Sequence, residues 1–110
     1  MVWVDDEKQM IEKIVQDEYS HLHVDIYDDP IGFLDEVHQY PTDTKIILDQ
    51  YFFGFDIGCE LDGLRIAEIP NEKGYTKLYL ITAAMPPKIP EYLQVILKSD
   101  IEKVHSLDKL

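Results

Sequence analysis

The stretch TKIILDQYFFGFD, Thr44 to Asp56, decides how the whole chain is read. Three large aliphatics, Ile46, Ile47 and Leu48, run without a polar break into Asp49. A strand with one wet face alternates apolar and polar residues. An unbroken aliphatic run instead suits a strand covered on both faces, as in parallel sheets. A carboxylate at the end of such a strand is costly to bury alone, so Asp49 requires partners from elsewhere in the chain.

The flanking segments supply the elements of such a sheet. Val2-Trp3-Val4 reads as a short apolar strand stopped by Asp5-Asp6-Glu7. Met10, Ile11, Ile14 and Val15 recur at helical spacing and predict a helix from about Glu7 to Glu18. His21 to Tyr27 reads as a second strand, with Leu22, Val24 and Ile26 alternating. Asp28-Asp29-Pro30 is a helix-start signal, and Phe33, Leu34 and Val37 give that helix its apolar stripe. Lys45 to Asp49 is the third strand. A long loop from Gln50 to about Leu61 follows, and Asp62-Gly63-Leu64 opens a helix that ends near Pro70. Asn71 to Tyr75 is a turn and Lys77 to Thr82 a fourth strand. Met85 to Pro90 holds three prolines and excludes a regular helix interior. Leu93 to Leu97 is a fifth strand ending at Lys98, and Asp100 caps a final helix carrying Ile101, Val104, His105 and Leu107 or Asp108.

Strand and helix alternate, which predicts an α/β domain with a parallel sheet covered on both faces. The length of 110 residues suits a single domain over residues 1–110. The apolar run Leu78 to Met85, broken by Thr82, is too short to span a bilayer, and MVWVDDE lacks the basic start and apolar core of a signal peptide. The lone cysteine, Cys59, has no internal disulfide partner, which fits a reducing cytoplasm. The formal charge is −12, with 22 acids against 10 bases. Direct nucleic-acid binding is disfavoured because phosphates need a basic face, and so is an anionic membrane surface. His21 and His23 share a strand face without a third metal ligand and read as surface histidines. Tyr51, Phe52, Phe53 and Phe55 read as packing for the long loop.

In open parallel sheets, ligands bind at the carboxyl ends of the strands. Asp5 and Asp6 end the first strand, Asp49 the third, Thr82 the fourth and Lys98 the fifth, so all five converge on one rim. Carboxylates crowded at about 4 Å repel by roughly 4 kcal/mol per pair at an effective dielectric of 20. A hard divalent cation relieves this, and Mg2+ takes a few carboxylates with water or phosphate oxygens completing its sphere. A carboxylate can also act as a nucleophile toward a phosphoryl group.

These residues resemble the receiver domain of two-component response regulators, the chemotaxis-regulator-like family. The motifs are VDDE at 4–7, KIILD at 45–49, DGL at 62–64, LITA at 80–83 and VILK at 95–98, in the family's order and across nearly the whole chain. The resemblance implies a doubly wound, five-stranded parallel sheet in the order 2-1-3-4-5; that order is the handed-down one for such folds. It implies Asp49 as phosphoacceptor, Asp6 as direct Mg2+ ligand and Asp5 as an acid acting through metal-bound water. The backbone carbonyl of Tyr51 falls where the family supplies a further metal ligand. Thr82 matches the hydroxyl that contacts the phosphoryl group, and Lys98 the lysine that neutralises its charge. The implied donor is a histidine kinase or phosphotransfer protein, with a downstream protein target that the sequence does not name.

The chain also departs from the family. The segment from Asp49 to Asp62 is longer than usual. The segment from Thr82 to Lys98 is shorter and proline-rich, so the fourth helix of the family is expected to be shortened or absent. Val95 stands where receivers usually carry Phe or Tyr, and Ser99 where a proline usually follows the lysine. The leading expectation is a phosphoacceptor with an unusual output face. A phosphorylation-independent interaction module is the alternative. A Mg2+-dependent phosphohydrolase using Asp49 ranks third, because Tyr51 replaces the second acid such enzymes place there.

Overall fold

Strand β1 (Val2–Val4) lies at the interior of a five-stranded, all-parallel sheet in the order β2-β1-β3-β4-β5. The computed structural model describes residues 1–50 and 62–110. The remaining strands are β2 (Asp25–Tyr27), β3 (Ile46–Asp49), β4 (Leu78–Thr82) and β5 (Leu93–Leu97). Among the described residues the helices are α1 (Lys8–Glu18), α2 (Pro30–Glu36), α3 (Gly63–Glu72) and α4 (Ile101–Val104), with short 3-10 turns at Val37–Gln39 and Leu107–Lys109.

Two cores flank the sheet. On one face Val2, Val4, Ile46, Leu48, Leu78 and Leu80 pack against Phe33, Val37, Ile66 and Ala67 of the α2 and α3 side. On the other, Trp3, Ile47, Tyr79, Ile81 and Ile96 meet Ile11, Tyr19 and Leu107. Alternate residues of β1, β3 and β4 therefore enter opposite cores. This is why these strands read as unbroken apolar runs. Short polar side chains start three helices: Asp29 accepts from the Ile31 amide at 2.9 Å, Asp62 from Arg65 at 3.0 Å and Asp100 from Lys103 at 3.3 Å.

Three boundaries differ from the sequence reading. The second strand begins at Asp25, not His21, because β1 offers only three residues to pair with. Leu22, Val24 and Ile26 still share one core, so their alternation reports burial without a ladder. Helix α3 continues through Pro70 to Glu72. The ring removes one backbone donor, but Pro70 is buried and the last carbonyls are taken by the Lys73, Gly74 and Tyr75 amides. The final helix lasts a single turn. Ser106 Oγ donates to the Glu102 carbonyl at 2.5 Å, taking an acceptor a longer helix would use, and the Leu107 amide, a donor it would use, goes to the Tyr19 hydroxyl at 3.0 Å. The connection from β4 to β5, residues 83–92, contains no helix, as its prolines require.

No helix among the described residues is long and apolar enough to cross a membrane.

Candidate functional site

Register assembles the site. Val4 pairs with Leu48, so Asp5 follows beside Asp49 at the carboxyl rim. Asp49 pairs with Ile81 and Thr82 with Leu97, which brings Thr82 and then Lys98 to the same rim. Asp5, Asp6 and Asp49 each offer a carboxylate oxygen, and these atoms lie within 4.8 Å of one another. Asp5 and Asp49 are buried, whereas Asp6 is half-buried.

Asp49 is held on one oxygen. Its Oδ1 accepts from the Gln50 amide at 3.0 Å and stands 3.2 Å from Lys98 Nζ. Both contacts fall on the same oxygen. Burial pushes the Asp49 carboxyl above its ordinary range, opposed by the Lys98 ammonium and the Gln50 N–H. Asp5 accepts from the Glu7 amide at 2.9 Å. Burial pushes Asp5 up to about 6 against that bond, and the Asp49 charge adds to the rise. A cation bound here would favour the charged form of Asp5 and Asp49, against the effect of burial.

Three carboxylates at this separation fit a small hard cation. Octahedral Mg2+ binds oxygens at about 2.1 Å, which places opposite ligands about 4.2 Å apart. Asp5, Asp6 and Asp49 would hold it, and waters or phosphoryl oxygens would complete the sphere. When bound, the ion would neutralise charge on a phosphoryl group at Asp49. The Tyr51 carbonyl, also expected as a ligand, lies outside the described residues, as do Cys59 and most of the long loop.

Thr82 reaches the rim but not Asp49. Its buried hydroxyl donates to the Ala84 carbonyl at 3.0 Å and accepts from the Ala84 amide at 3.4 Å. The side chain closes the turn after β4. Contact with a phosphoryl group requires it to rotate away from Ala84.

Two contributors were missed in the sequence. The Gln50 amide orients Asp49, a backbone role that no side-chain pattern reports. Gly63 lies against the strand end: a Cβ there would sit 2.3 Å from the Asp49 carbonyl oxygen and 2.4 Å from Leu80 Cδ1. Its amide donates to the Gln50 carbonyl at 2.9 Å. The DGL motif was read as a helix start, and its glycine also signals this close backbone approach.

The chain matches no family model, no curated protein and no solved structure.

Proposed function

We propose that this domain accepts a phosphoryl group on Asp49 and passes the change to a protein partner, as a receiver-like domain of a two-component system. The observation that carries this reading is the constellation of Asp5, Asp6 and Asp49 with Lys98 Nζ 3.2 Å from the acceptor. In this reading Asp49 Oδ2 attacks phosphorus, the donor's bond to phosphorus breaks, and the leaving group takes the electron pair. Lys98 then pairs with the added negative charge, and Thr82 supplies a hydroxyl after leaving Ala84. The burial of Asp49 limits competing solvent contact. The donor would be a histidine kinase or phosphotransfer protein in the cytoplasm, and the ion Mg2+.

Intact-protein mass after incubation with acetyl phosphate and Mg2+ tests the proposal. A gain of one phosphoryl group, lost in Asp49→Asn, is the expected result. No gain under any Mg2+ concentration supports the second reading, an interaction module that works without phosphorylation. That reading draws on the Thr82 hydroxyl being engaged by Ala84 and on the helix-free segment 83–92.

A further inference from the structure

Between α1 and the single-turn α4, on the Trp3 side of the sheet, lies a cavity of about 180 Å3. Its wall is apolar over most of its extent, with Trp3, Ile11, Ile14, Ile81 and Val104 contributing. Two charged residues, Asp5 and Lys98, also line it. Trp3 is 2% exposed, and its indole N–H has no acceptor among the described residues.

We infer that this cavity binds a free α-amino acid with an apolar side chain, its ammonium toward Asp5 and its carboxylate toward Lys98. Volume sets the side chain. A cavity of about 150 Å3 accommodates a benzene ring, so 180 Å3 admits an isobutyl, sec-butyl or benzyl group. Charge sets the head group. An amine alone would meet the Lys98 ammonium unpaired, and a carboxylate alone would meet the Asp5 carboxylate. A zwitterion presents both signs on one carbon and answers both. Lys98 is about half exposed and carries three donors, so it can serve a ligand carboxylate while keeping Asp49. The short α4 leaves the space open, since the chain leaves helical geometry after Val104.

Trp3 is the only tryptophan of the chain and lines the cavity, so its fluorescence reports occupancy directly. The test titrates L-leucine, L-isoleucine, L-valine and L-phenylalanine into the protein, by fluorescence and by calorimetry, without any phosphoryl donor. Glycine, 3-methylbutylamine and 4-methylpentanoate serve as comparators lacking the side chain, the carboxylate or the ammonium. At least one of the four amino acids should saturate, about tenfold or more tighter than every comparator. Val104→Phe, which fills the cavity, should abolish binding. Lys98→Met should weaken the amino acid about tenfold and should not weaken the amine. Absence of saturation by all four at millimolar concentration overturns the inference, and so does 4-methylpentanoate binding as tightly as leucine. Should Val104→Phe fail to fold, Lys98→Met decides: wild-type affinity there overturns it. The ligand would use Asp5 and Lys98, which the proposed phosphoryl site also uses, but titrations without Mg2+ or a phosphoryl donor read this binding apart from phosphoryl uptake at Asp49.

Discussion

Lys98 Nζ stands 3.2 Å from Asp49 Oδ1, reaching from the end of β5 past the intervening β4 to the end of β3. The contact restrains one oxygen of the carboxylate proposed as acceptor. Asp49→Asn keeps the shape and removes the nucleophile, so the acid-stable, base-labile adduct expected of an acyl phosphate should vanish. Lys98→Ala should still allow some adduct but impair its consequences. Intact mass at matched times is the check, and wild-type uptake by Asp49→Asn would rule out this acceptor.

The crowding of Asp5, Asp6 and Asp49 predicts that Mg2+ stabilises the fold by mass action. At a hundredfold excess over its dissociation constant the gain is about 2.7 kcal/mol. Asp6→Ala should remove most of it. Thermal melts with and without millimolar Mg2+ measure this, and an unmoved wild-type midpoint would count against the metal site.

Asp5 predicts the pH dependence. Its carboxyl rises from 3.8 to about 6 on folding, so between those values the folded state binds more protons than the unfolded chain. Stability from this group is therefore fully present below about pH 4, where both states are protonated. It is lost as pH rises through 6 and is constant above. The span corresponds to roughly 3 kcal/mol. Asp5→Asn keeps an acceptor for the Glu7 amide and should flatten this slope, raising stability at neutral pH in the absence of Mg2+. Mg2+ affinity in the wild type should fall as pH drops through 6, because protons then compete for the same oxygen. Urea titrations at several pH values would expose an unchanged slope in Asp5→Asn as a failure of this account.

Gly63→Ala places a methyl 2.3 Å from the Asp49 carbonyl oxygen. That atom belongs to an interior strand and has little room to retreat. The cost expected for such overpacking is about 1–3 kcal/mol, read as a lowered melting temperature. Because the strain falls on Asp49 itself, phosphoryl uptake should slow in the fraction that remains folded. A wild-type melting temperature would show that α3 shifts freely.

Thr82 locates the response. Its hydroxyl holds Ala84, so in the proposed reading its capture by a phosphoryl group would release the turn that begins segment 83–92. Hydrogen exchange with and without beryllofluoride should change across Thr82 to Pro90, and the segment from Gln50 to Leu61, which leaves the acceptor, is expected to change with it. Changes confined to β5 and α4 would contradict this.

The strand cores and helix starts were legible because burial on both faces leaves unbroken aliphatic runs and because Asp29, Asp62 and Asp100 bond locally to the next turn. The rim residues were legible as types at strand ends. What escaped depends on distant geometry. The length of β2 is set by β1, which no property of residues 21–27 reveals. The early end of α4 follows from the hydroxyl of Tyr19, just past the end of α1. The Thr82 hydroxyl direction is a rotamer fixed by the turn it closes, and composition carries no trace of it.

The Tyr19 hydroxyl has a consequence for synthesis. It donates to the Val104 carbonyl at 2.5 Å and accepts from the Leu107 amide, 88 positions along the chain. Leu107 is fully buried in the same core as Trp3. Within this domain, β1 is thus sealed on that face by residues made well after it. During translation the Trp3 face is covered at first only by α1 and Tyr19 and is completed when Leu107 emerges. A nascent chain halted before that point would carry this face only partly covered, by α1 and Tyr19, and its exposed apolar surface would suit chaperones.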